Sequence, residues 1–257
     1  MHRISQILMV VCTAALVSLG ALPSPAQEKT QEKPALYTYV AQWATPRAQW
    51  PDMEKADASE KPLMDKLIAD GTIVSYGSFH AMVHTEDGST HGSWFSAMSM
   101  ADIMKALSQI YASGAAAGPA LDASKHWDMI LSSTQYNGHS GTFENSYLRV
   151  GMWTVKPGGG EAVEKFNKEV MVPLLEKLLA DGAIHNYQID AETIHTRNPG
   201  TFFVAVVTNG AEGLDKFYAA LDGMAKTNAL GGMAFEQSVD ESSHRDSLML
   251  VPSFTRK

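Results

Sequence analysis

From Leu36 onward the chain switches repeatedly between an apolar period of two and one near 3.6, the spacings of a half-buried strand and an amphipathic helix. Residues 36–43 are rich in aromatic and β-forming side chains and predict a strand. Pro46 and Pro51 bracket a loop. Leu63, Met64, Leu67 and Ile68 then fall at helical spacing within residues 53–70, and Gly71 stands where a left-handed C-terminal cap is expected. Residues 72–84 alternate and predict a second strand, residues 86–90 a hairpin turn, and residues 93–98 a third strand. A helix over 100–112 carries Ile103, Met104, Leu107 and Ile110 on one side, and residues 126–132 predict a fourth strand. The order is β-α-β-β-α-β.

That order is then used again. Leu67-Ile-Ala-Asp-Gly-Thr-Ile-Val-Ser-Tyr76 recurs as Leu178-Leu-Ala-Asp-Gly-Ala-Ile-His-Asn-Tyr187, and His84-Thr85 recurs in register as His195-Thr196. A self-match of this kind means one supersecondary unit used twice. Val150 and Trp153, in a strand over 147–155, match Val40 and Trp43; a helix over 161–181 carries Pro173 where the first carries Pro62. An interior proline costs a helix about 3 kcal/mol, so both helices are expected to kink or break there. Residues 183–196, 201–207, 214–221 and 244–251 complete the set, with 225–241 as the loosest connection. Ser124-Lys-His126-Trp-Asp128 matches Ser242-Ser-His244-Arg-Asp246, a His-x-Asp pair in each copy. The predicted class is α+β: a first ferredoxin-like repeat over 36–134, a linker over 135–144, a second repeat over 145–251 and a tail over 252–257. Two four-stranded sheets can face each other and close into a pseudo-dimeric α/β barrel.

On these residues the chain resembles the dimeric α/β-barrel superfamily in a tandem, single-chain form. It is also similar to exported bacterial proteins of that superfamily that share the Leu-x-Ala-Asp-Gly and His-Thr stretches. The superfamily includes cofactor-independent monooxygenases, haem-degrading enzymes, haem-binding dismutases and proteins with no known activity. No residue set here matches a catalytic motif of the haem enzymes or the monooxygenases, so the resemblance implies a fold and leaves the chemistry open.

Composition narrows the partners. Residues 1–26 have the polar start, apolar run and Ser24-Pro25-Ala26 site of a cleaved signal peptide, and residues 27–35 read as a flexible tether. The expected location is outside the cytoplasm, in the periplasm or beyond. The single cysteine, Cys12, lies in that leader, so the mature chain can form no disulfide. A net charge of −8 without a basic run argues against nucleic acid, and against a membrane once the leader is removed. A chain that carries both halves of its barrel is expected to be a monomer.

Strand alternation sorts the candidate chemistry. Val40, Leu148, Val150 and Met152 read as the face beneath the helices, which turns Tyr39, Trp43, Arg149 and Trp153 into the barrel as the wall of a pocket for a planar or anionic ligand. His84 and His195 stand at matched strand ends. His126 and Asp128 share a strand face, where a carboxylate could orient an imidazole as a base. His84, His126 and Asp128 are thus the catalytic candidates, and the first copy is the expected site. No metal or other cofactor is expected: His80, His84 and His91 are badly spaced for one ion along a strand, and no phosphate-loop, dinucleotide or serine-nucleophile motif is present. Three readings follow. The first is a protein that binds a small aromatic molecule in the barrel or in a cleft beneath its helices. The second is a cofactor-independent monooxygenase-like enzyme with a histidine base. The third is a structural protein with a filled barrel.

Overall fold

The computed structural model describes residues 33–85, 88–114 and 117–257. The expected leader, most of the tether and part of the turn at 86–90 lie outside the described residues. The chain runs β1 (Leu36–Ala44), a short 3₁₀ turn (Arg47–Gln49), α1 (Trp50–Ala69), β2 (Ser75–Ala81), β3 (His91–Ala97), α2 (Met100–Ser113), a four-residue α3 (Pro119–Asp122) and β4 (Lys125–Gly138). It continues with β5 (Gly141–Val155), α4 (Gly160–Phe166), a π turn (Asn167–Met171), α5 (Val172–Ala180), β6 (Ile184–Glu192), β7 (Thr201–Thr208), α6 (Gly210–Thr227), α7 (Ala229–Ser238) and β8 (Val239–Arg256). No helix among the described residues is long and apolar enough to cross a membrane.

All eight strands pair antiparallel and close into a barrel in the order β1-β3-β2-β8-β5-β7-β6-β4. Around it the first four strands run β4-β1-β3-β2 and the last four β8-β5-β7-β6. The two quartets meet at the β2–β8 and β4–β6 seams, and each seam carries a register shift, at Gly77/His80 and at Ser132/Gln135. Closure leaves no bare sheet edge to pair with another chain.

The recurring ten-residue stretch is the helix-to-strand hinge of each half. Gly71 and Gly182 have φ of 77° and 69°, the left-handed conformation that glycine adopts without a Cβ clash. Six residues before each glycine stands a helix carboxylate, and it accepts a hydrogen bond from the tyrosine five residues after it. Tyr76 Oη lies 2.5 Å from Asp65 Oδ1, and Tyr187 Oη lies 2.6 Å from Glu176 Oε1. The repeated tyrosines therefore clamp helix to strand.

The structure corrects several expectations. Residues 135–144 are mostly strand, because β4 runs to Gly138 and β5 begins at Gly141; the closed barrel extends ladder pairing to both strand ends, β4 with β6 and β5 with β8. Likewise the expected tail at 252–257 belongs to β8, which pairs with β2 and β5 to Arg256. The connection at 225–241 is helical, with α7 packed on α4. Pro62 lies within an α1 that stays α-helical, whereas Pro173 follows the π turn.

The most consequential correction concerns facing. Val40, Leu148, Val150 and Met152 point into the barrel, where they pack with Phe79, Trp94, Met129, Leu131, Phe203, Val207, Met249 and Val251. Tyr39 and Trp43 point outward beneath α1 and α2, and Trp153 points outward, against Phe202 and the α7 residue Phe235. Apolar side chains lie on both faces of the central strands, one face packed inside the barrel and the other beneath helices, so polarity alone could not tell inside from outside. The barrel is filled.

Candidate functional site

The space lies under the helices of the first half. A cavity of about 760 Å³ opens between α1, α2 and the first-half strands and reaches Asn145 on β5 and Leu250, Pro252 and Ser253 on β8, a volume suited to a small organic ligand. Its strand wall carries Tyr39 and Trp43 from β1, Phe95 from β3, and His126 and Asp128 from β4. Cross-strand pairing explains the grouping. Trp43 lies opposite His126 and Ala41 opposite Asp128, so indole and imidazole stack at 4.9 Å with a 9° tilt. His126 Nε2 lies 2.9 Å from Asp128 Oδ1. The Tyr39 hydroxyl faces Asp128 and Tyr111, and burial, aided by that carboxylate, holds its phenol far above the usual range.

The helix wall is acidic. Met53, Asp57, Glu60, Met64 and Leu67 fall on one stripe of α1 at alternating steps of four and three. Met53, Met64 and Leu67 are buried, but the middle of the stripe is two carboxylates. Burial pushes Asp57 up to about 7, although Ser78 on β2 gives it a hydrogen bond that acts the other way; the nearby Glu60 and Glu54 add to the rise. Burial raises Glu60 as well. His80 and His91 complete this end. His91 is 2 % exposed, and burial, reinforced by His80, depresses it to about 4. Its imidazole is therefore neutral at pH 7, a hydrogen-bonding wall and not a cation.

Of the sequence candidates, Tyr39, Trp43, His126 and Asp128 are brought together on one cavity. His84 is not among its lining residues; it is exposed and stacks on Trp50 at 5.4 Å. Arg149 and Trp153 lie in the second half and do not join the wall. There they reproduce the first-half motif: Trp153 stacks on His244 at 4.6 Å, His244 Nε2 lies 3.2 Å from Asp246 Oδ1, and Arg149, where the first half has Tyr39, donates to the same carboxylate. Gly151 makes room, since a Cβ there would meet the Arg149 and Trp153 side chains at about 2.5 Å. Asp57, Glu60, Ser78 and His91 were missed as site residues. The available signal was the break in the α1 stripe, two acids where the period calls for apolar residues. Among the described residues no group of three or more His, Cys, Asp and Glu side chains is arranged to hold a metal ion.

Neither a protein-family profile nor a curated protein sequence matches the chain. Solved structures do match it in shape. A candidate monooxygenase of Lactobacillus acidophilus superposes with a TM-score of 0.62 at 13 % identity, over 86 % of this chain and 96 % of that one. The chain has the dimeric α/β-barrel fold. An anthrone oxidase-like protein matches with a TM-score of 0.55 at 10 % identity over 88 % and 94 %. A candidate chlorite dismutase matches with 0.52 at 11 % over 84 % and 94 %. At these identities the likeness is one of fold, and the three names span different chemistries.

Proposed function

We propose that the first-half cavity binds a small aromatic molecule carrying a hydrogen-bond donor, such as a phenol or an arylamine. The observation that carries this is the pairing of walls across one space: Tyr39, Trp43 and Phe95 offer π surface, while Asp57, Glu60 and Asp128 offer acceptors. That balance favours a donor-bearing ring over an anionic one, which the carboxylates would repel. Titration of tryptophan fluorescence with a naphthol, a naphthylamine and a naphthoate tests it. Saturable quenching by the first two, weakened at least tenfold in Trp43→Ala and His126→Ala, is expected. His84→Ala should bind as the parent does. Equal binding of the carboxylate, or of all the variants, would overturn the assignment.

A second reading is favoured by Asp57. A carboxylate held near pH 7 beside a bound phenol is matched to general-base work. Removing the ring O–H proton yields an electron-rich phenolate, the activated form that a cofactor-free monooxygenase would present to dioxygen. The names of the fold neighbours lend this limited support. Asp57→Asn should then bind ligand but lose oxygen uptake, whereas His126→Ala should lower both.

The halves themselves read as two ferredoxin-like repeats, supported by the matching strand orders β4-β1-β3-β2 and β8-β5-β7-β6. Export after removal of residues 1–26, and a monomeric state, are proposed on the sequence alone. N-terminal sequencing and light scattering test them; an intact Met1 or a doubled mass would refute each in turn.

A further inference from the structure

The cavity of the first half is finished by strands of the second. Asn145 on β5 and Pro252 and Ser253 on β8 line its mouth. There the two strands break step together. Phe143 lies opposite Phe254 and Ser146 opposite Val251. All four turn into the barrel: Phe143, Phe254 and Val251 pack in one interior cluster, and Ser146 is fully buried. An alternating strand sets same-face residues an even number apart, and here the step is three. Two consecutive residues on each strand, 144–145 and 252–253, are thereby left to the outer side, where the cavity lies. Irregularities of this kind re-aim side chains.

Asn145 carries the change of step with a φ of 54°, and it is the one non-glycine residue with a positive φ among the described residues. Glycine takes that conformation without strain. Asparagine visits it when its side chain bonds the nearby backbone, but among the described residues the Asn145 carboxamide has no hydrogen-bond partner. The barrel does not demand the conformation either. By the Trp43/Trp153 and His126/His244 matches, Ala35, Thr134 and Gln135 stand in register with Asn145, Pro252 and Ser253. They line the smaller space of the second half, about 530 Å³ under α4 and the π turn, and Ala35 has no positive φ. The same mouth is thus built in the other half without a left-handed residue.

We propose that Asn145 is a ligand-contacting residue of the first-half cavity, whose carboxamide selects an aromatic molecule with a polar group at each end. This rests on the aromatic reading of that cavity. Ser78, which gives Asp57 its hydrogen bond, lies on β2, and β8 alone separates β2 from β5. Two interstrand spacings amount to about 10 Å. A fused ring whose first hydroxyl meets Asp57 spans that gap, and the carboxamide, both donor and acceptor, takes the group at the far end.

Tryptophan-fluorescence titration with a naphthol, and with a naphthalenediol bearing one hydroxyl on each ring, tests this. The parent should bind the diol about fivefold more tightly, the gain of one partly exposed hydrogen bond. Asn145→Gly keeps the left-handed backbone and removes only the side chain. It should bind both ligands alike, with naphthol affinity unchanged and a melting temperature at or above the parent's. Asn145→Asp, whose carboxylate still accepts from a hydroxyl, should keep the preference. A preference that survives in Asn145→Gly, or is missing from the parent, refutes the role of Asn145 and leaves the aromatic site standing. If the parent binds neither ligand, both fall.

Discussion

Asp190 and His91 are buried titratable groups that load the fold in opposite directions. Burial raises Asp190 from 3.8 to about 7, so the native state holds its proton more tightly than the unfolded chain. The stability this gives is fully present below the unfolded value and is lost as pH rises through 7. The loss by pH 8 is about 4 kcal/mol at most. Asp190→Asn should therefore be more stable than the parent in urea at pH 8 and nearly equal to it at pH 4. His91 is lowered from 6.5 to about 4. Its contribution is present above 6.5 and lost as pH falls through 4, so His91→Gln should flatten the acid side of the stability profile. Urea titrations at pH 4, 6 and 8 separate the two effects.

At the scale of elements, the repeated hinge matters most. A Cβ at Gly71 or Gly182 would meet nothing within 4 Å, so the cost of alanine there is that of the left-handed backbone alone. Gly71→Ala and Gly182→Ala should each lose about 1 kcal/mol, measured by chemical denaturation. Tyr187→Phe should cost a further increment of about 1 kcal/mol by leaving Glu176 without its phenol donor. The prolines show how one signal takes two forms. α1 carries Pro62 inside a continuous helix, while the second helix inserts a π turn in which the Val172 N–H reaches the Asn167 carbonyl. A proline removes one donor and crowds the preceding turn, and an extra residue just upstream gives that crowding room.

Across the whole molecule, one interior cluster draws on both halves: Phe79 and Trp94 pack with Leu148, Val207, Met249 and Phe254. Neither half can keep that packing alone, and each separated half would expose two strand edges. The chain should unfold in a single calorimetric transition, and Trp94→Ala should lower its midpoint without splitting it. Two resolved transitions would show that the halves are independent.

The sequence by itself determined the eight strands, the main helices between them and their order. Period, capping glycines and the recurring hinge are local signals, written within a turn or two of the residues they govern, and they placed the strand and helix centres of both halves. It also brought Tyr39, Trp43, His126 and Asp128 together, because alternation puts same-parity residues on one face and the repeat aligns the strands. Only the tertiary structure decided which face looked inward. In a closed barrel wrapped by helices both faces are apolar, so a period of two separates the faces without naming them. Closure likewise turned an expected linker and an expected tail into strand. The cavities belong to the same category: each is a volume left unfilled where elements distant in sequence meet. Asp57, His91 and Asp190 owe their shifted protonation to burial at those meetings, and burial is a property of the assembled fold.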